Sequence, residues 1–298
     1  FPLLDTFLEP ERRTLFFSRM RFCHQLSGTV FLFLVGFVIG GNPPVWGLQL
    51  VLLAAAVIFT GRAAAISRIP VFEGRQNESA GFLSGLNTVV GNKPMAGFSL
   101  YFFLLNLTAF GTVPLMMLYL KNGLNAPDNV IVLISACSLS GMLFGYLCIG
   151  RLLKRIGMKH TFLLLHFIFF AVNGGLFLIG GRSMATYLLI AFFLLVYSFA
   201  AAASSIVASA EMMKLASPGN KIMAMAFNGA FFYGGSGLSR FLTSLLLGSG
   251  MFAAEWQLGT TTVCRYRTFL LLYCAAILLA APFLLLVPAV NSGKSNKP

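Results

Sequence analysis

Eight long apolar runs, at about 22–40, 45–61, 95–120, 129–153, 161–180, 184–210, 222–248 and 268–288, constrain this chain more than any other feature. A helix rises 1.5 Å per residue, so about twenty residues cross a hydrocarbon core of roughly 30 Å, and each run is close to that length. Breaks fall where Gly, Pro, Asn or charge gather, as in GGNPP at 40–44 and KNGLNAPDN at 121–129. Transmembrane strands are not expected. They alternate polar and apolar residues over about ten positions, whereas LLIAFFLLVYSFAAAA is apolar on every face. With 58% hydrophobic and 10% charged residues, the chain could hardly assemble a water-facing surface. The expectation is an all-α polytopic membrane protein with the lipid bilayer as its solvent.

The few charges are distributed unevenly. If the N-terminal segment is cytoplasmic, the inner loops hold Arg12, Arg13, Arg19, Arg21, Arg62, Arg68, Arg75, Lys93, Arg151, Lys154, Arg155, Lys159, Lys214, Lys221, Lys294 and Lys297. The outer loops hold Lys121, Arg182, Arg265 and Arg267, and Arg240 falls inside a run. Cytoplasmic loops of membrane proteins carry such an excess of Lys and Arg, so both ends of the chain are expected inside, in a bacterial inner membrane. The same bias accounts for the net charge of +13. No aromatic platform accompanies the cations, and no nucleic-acid partner is expected.

Catalysis finds little to work with. The chain has eight acids, nearly all outside the apolar runs, and three scattered histidines, His24, His160 and His166. General acid–base chemistry needs such groups to converge, so no enzyme is expected. No GxxxxGK[ST] phosphate loop occurs, which excludes an ATP motor within the chain, and no cofactor or metal is expected. The cysteines Cys23, Cys137, Cys148, Cys264 and Cys274 show no metal-type spacing and read as packing residues.

Two stretches suggest internal symmetry. EPERRTLFFSRM at 9–20 can be laid over SPGNKIMAMAFN at 217–228, each with a Pro ahead of a cation and a bulky apolar run. Parallel repeats of this kind occur in transporters. The loop GRLLKRIGMK at 150–159 then resembles the motif of the major facilitator superfamily, G-x-L-x-D-R/K-x-G-R/K-R/K, through Gly150, Leu152, Arg155, Gly157 and Lys159. Lys154 stands where the motif has its acid, and Met158 replaces one cation. EPERRTLFFSR and SRIPVFEG at 67–74 are similar to other loops of that family.

The resemblance implies that the eight runs correspond to family helices five through twelve, in a bundle lacking the first four. On that register residues 1–21 form a cytoplasmic lead-in, 22–61 the last two helices of an N-terminal bundle, and 62–94 a cytoplasmic inter-bundle loop. Residues 95–288 form a six-helix C-terminal bundle and 289–298 a tail. It implies a secondary transporter, monomeric when full length, moving a small solute with an unknown coupling ion. The alternative is a non-transporting membrane partner or sensor subunit of the same fold.

Polar groups at depth supply the candidate pathway. Asn106 sits mid-run in YFFLLNLTAFGTVP, ahead of Gly111 and Pro114, which permit a bend. Asn228, Ser236, Arg240 and Thr243 are taken as one inward stripe of the seventh run. Arg240 either snorkels or pairs structurally, or attracts an anionic group. Tyr197 is a candidate wet-side contact beside the run Ala200 to Ser205. His166 and Asn173 share a face of a helix that the resemblance implies is peripheral, so both read as structural. In the basic loop, Gly150 and Gly157 are expected to allow a tight turn, while Arg151, Lys154, Arg155 and Lys159 stay at the anionic leaflet. Those cations either anchor topology or also gate by meeting an acid. Glu211 is the candidate acid, with a local pair to Lys214 as the simpler role.

Overall fold

The structure, a computed structural model, describes residues 10–68, 81–217 and 220–286. Its elements are α1 (Pro10–Val38), α2 (Val45–Ser67), α3 (Phe82–Gly91), α4 (Lys93–Ala109) and α5 (Thr112–Leu118). A π-helical turn (Tyr119–Gly123) leads to α6 (Asp128–Leu178), α7 (Met184–Leu215) and α8 (Lys221–Gly248). A hairpin of β1 (Glu255–Leu258) and β2 (Thr261–Cys264) precedes α9 (Arg265–Leu286). SRIPVFEG lies mostly, and the tail wholly, outside the described residues.

Among the described residues, seven segments are long and apolar enough to cross a membrane. The remaining expected run does form a helix, α8, of 28 residues. At roughly 42 Å it is long enough, but its Asn, Ser, Gly and Arg leave it less apolar than the others. The expected lead-in is helical from Pro10 and continuous with the first run. The stretch read as an inter-bundle loop, 62–94, contains the end of α2, all of α3 and the start of α4.

The two runs flanking GRLLKRIGMK form the two helical arms of α6, which meet at a non-helical Gly157 (φ 73°, ψ 172°). That conformation is essentially reserved for glycine, since a Cβ would clash with the backbone. The chain reverses there. Ser138, before the break, contacts the Ser198 hydroxyl at 2.7 Å, and Phe169, after it, packs its ring 5.2 Å from that of Tyr197. A straight helix would separate residues 138 and 169 by roughly 46 Å, yet both reach the same turn of α7. Gly150 plays no part in the reversal: it is an exposed helical residue with nothing within 4 Å of where a Cβ would be.

Loops sort to two ends. At one, the Asp128 amide donates to the Gly41 carbonyl at 3.0 Å, Tyr119 packs on Tyr266, and Arg267 Nε donates to the Phe177 carbonyl at 2.7 Å. At the other, the Asn92 amide donates to the Leu215 carbonyl at 2.9 Å, and the Asn220 amide to the Gly85 carbonyl at 2.8 Å. Gly157 lies at this second end, five residues from Phe162, whose ring packs on Phe98 near the start of α4. Residues 121–128 and 154–160 therefore sit at opposite ends, as the alternation of spans requires.

Close packing centres on α6 and α7. A Cβ at Gly141 would lie 2.0 Å from the Leu195 carbonyl oxygen, and one at Gly145 2.7 Å from that of Phe199. The GxxxG pair thus lets two backbones touch, which bulkier side chains would prevent. Facing it, Ala200, Ala202 and Ala203 are fully buried. The one departure from an all-α fold among the described residues is the hairpin, whose two-residue turn carries Gly259 at φ 61°, a glycine position in a type II′ turn. Val263 buries its side chain, and Arg267 Nη1 donates to the Thr262 carbonyl at 3.1 Å, so the hairpin seals one end of the bundle.

Candidate functional site

The run 95–120 is not one helix. α4 stops at Ala109, Phe110 and Gly111 form a turn, and α5 resumes at Thr112. Pro114 explains the break, because it has no N–H to offer the Phe110 carbonyl and its ring crowds that oxygen. Carbonyls freed at a helix end need other donors, above all where water is scarce.

Those donors come from across the bundle. The Ala109 carbonyl accepts from the Tyr197 hydroxyl of α7 and stands 3.0 Å from the Thr112 hydroxyl. Thr112 has a single proton, and Asn173 Oδ1 on the second arm of α6 lies 2.9 Å away. With Tyr197 serving Ala109, the Thr112 proton goes to Asn173, whose amide donates to the Phe169 carbonyl at 2.8 Å. On the opposite side, a Cβ at Gly111 would lie 1.9 Å from the Tyr273 hydroxyl and 3.0 Å from Ser239 Oγ. Glycine here admits the Tyr273 hydroxyl to the break. Tyr273 in turn bonds Thr243, which donates to the Ser239 carbonyl. Ser239 Oγ is buried and has no partner.

Side chains of α5, α6, α7, α8 and α9 thus meet at one helix break, all of them hydroxyls or amides. Such a junction can orient and hydrogen-bond a small polar solute. Among the described residues no three His, Cys, Asp or Glu come close enough to hold a metal.

The expected pathway residues divide. Asn106, one turn before the break, is fully buried; its amide donates to the Phe102 carbonyl, and its Oδ1 has no partner. It packs against Gly235 of α8, where a Cβ would meet Asn106 Cβ at 3.2 Å. Asn228, Ser236 and Thr243 form the buried face of α8, with Asn228 Oδ1 also unpartnered and Ser236 bonded to the Tyr233 carbonyl. Arg240 does not share that face and is exposed. At about 100° per residue it lies about 120° round from Asn228, whereas Ser239 lies about 20° away. Tyr197 is only 2% exposed and bonded to Ala109, so it is no wet-side contact.

At the basic loop, Arg151 and Arg155 are exposed and Lys159 is half-buried; the Lys154 side chain is outside the described set. Glu211 is buried and pairs at 3.9 Å with Lys214, so the local role is formed. The reading from sequence missed Thr112, Ser239 and Tyr273, and took Asn173 as peripheral. Gly111 and Pro114 were the available signal, since a break at depth forces neighbouring helices to supply hydrogen bonds.

The chain matches no known protein family, and no curated protein is similar to it. The likeness carried by GRLLKRIGMK therefore rests on those residues alone.

Proposed function

We propose that this chain belongs to a secondary active transporter of the major facilitator type, moving a small solute by alternating access. The observation that carries the reading is the break at Phe110–Gly111, midway along an apolar segment, with the hydroxyls and amides of four other elements turned onto it. Transporters place substrate sites at interrupted helices near the bilayer midplane, because unsatisfied backbone there binds solutes and lets the helix bend. In this reading α1 and α2 are the last helices of one bundle, and α4 to α9 form the six-helix partner, with α8 crossing as the eighth span. The end bearing Arg151, Arg155 and Lys159 faces the cytoplasm of a bacterial inner membrane. The protein works as a monomer.

A second reading, a non-transporting membrane partner or sensor, is favoured by the packed state of Asn106 and Tyr197. One experiment separates the two. The full-length protein is reconstituted in vesicles, screened for uptake of a panel of sugars, amino acids and organic ions under imposed proton and sodium gradients, and compared with Asn106→Ala and Thr112→Val. Uptake by the native protein that falls at least about tenfold in both variants supports transport. Uptake unchanged in both removes the junction from the pathway, and no uptake of any solute favours the partner role. Orientation is checked separately with single cysteines at Asn42 and Lys159, which should react with impermeant reagent from opposite sides.

A further inference from the structure

A second polar feature lies outside the junction. The second arm of α6 and α9 leave between them a groove of about 180 Å³, walled by Leu163, Phe167 and Phe170 on one side and Ile277, Leu278 and Ala281 on the other. His166 completes its lining and is only 4% exposed. Phe167 and Leu278 on the rim are 65% and 54% exposed, so the groove opens away from the bundle, toward lipid.

The histidine's hydrogen bonds dictate what it offers. Nδ1 lies 2.9 Å from the Phe162 carbonyl, an acceptor, so Nδ1 carries the proton; the Tyr101 hydroxyl lies 3.4 Å from the same nitrogen. In the neutral ring Nε2 is then a bare lone pair, and it has no partner. A buried acceptor without a donor carries a desolvation cost that a hydroxyl would relieve. His166 lies near the middle of the arm Arg155–Leu178, about 17 Å from either end. A donor tethered at the headgroups does not reach it.

We infer that this groove binds a small hydrophobic phenol or alcohol dissolved in the bilayer core, its hydroxyl donating to His166 Nε2 and its apolar body lying between α6 and α9. The volume fits a single ring, given that a cavity of about 150 Å³ holds benzene. The site is independent of the transport reading. The molecule could come from the membrane, as a lipid alcohol or phenol, or from water as a free phenol.

The test uses the full chain in nanodiscs and two probes, 4-butylphenol and its methyl ether 4-butylanisole, which share a body but differ in the donor. Titration followed by ligand-observed NMR should show the phenol binding roughly tenfold tighter, the worth of one hydrogen bond to a buried acceptor. His166→Phe should erase that preference with thermal unfolding still cooperative. Ala281→Phe, which keeps His166 and fills the groove, should weaken both probes and decides the matter even if the first variant fails to fold. Equal binding of the two probes to the native chain, preference surviving in His166→Phe, or both affinities unchanged in Ala281→Phe would each overturn the inference. Solvent extraction of the native protein tells the sources apart. A hydroxylated lipid released from it but absent from Ala281→Phe marks a membrane source, and phenol preference with no such lipid marks a free solute.

Discussion

The helices α2 and α7 are close in hydropathy, with means of 1.8 and 2.2 over their most apolar windows, yet 0% of that window is buried in α2 and 56% in α7. Hydropathy therefore reports entry into lipid and says little about packing. What distinguishes them is what faces them. α7 meets a GxxxG pair that admits its backbone, whereas Gly61 of α2 has nothing within 4 Å of its Cβ position. In lipid no hydrophobic driving force separates buried from exposed apolar surface, so close fit and interhelical hydrogen bonds decide which helices associate.

The contrast can be broken most sharply at the glycines. Gly141→Leu drives a side chain into the Leu195 carbonyl of α7 and should cost at least about 3 kcal/mol, read as lost monodispersity or a large fall in Tm in detergent. The same change at Gly61 should shift Tm hardly at all, within about 0.5 kcal/mol; a large effect there would mean that α2 packs against a surface of its own. Next in size is Gly157→Ala, which forces a Cβ onto a φ of 73° and should cost about 2 kcal/mol. Chemical denaturation in micelles would measure it, with Gly150→Ala as the neutral control. Tyr197→Phe deprives the Ala109 carbonyl of one donor and should cost about 1 kcal/mol, toward the upper range of interhelical hydrogen bonds in membranes, visible as a small drop in Tm. The smallest effect belongs to Glu211→Gln. An ion pair at 3.9 Å to an exposed Lys214 contributes about 0.5 kcal/mol or less, and a larger loss would point to a partner beyond the local pair.

Much of this architecture could be read in advance. The described residues of each expected run lie within a helix or helix pair to within about two residues at the ends, and the described loops alternate between two ends. The reversal at GRLLKRIGMK was legible too, though Gly157 makes it without Gly150. The hairpin at Glu255–Cys264 was missed, because four-residue strands outside the apolar runs leave a weak pattern. Arg240 was misplaced by treating a twelve-residue offset as a return to the same face; the helical angle alone separates it from Asn228 and brings in Ser239. Thr112, Asn173 and Tyr273 could not be assembled in that way, since each is an ordinary residue on its own helix.

Membrane residence, helical content and the alternation of ends were set by the sequence taken by itself, because transfer into lipid sums the chemistry of neighbouring residues along one run. Only the tertiary structure decided that Tyr197 caps Ala109, that Gly111 makes room for Tyr273, and that His166 keeps a lone pair beside a groove. Those outcomes depend on the rotation and depth of helices far apart in the chain. No local sum contains either quantity.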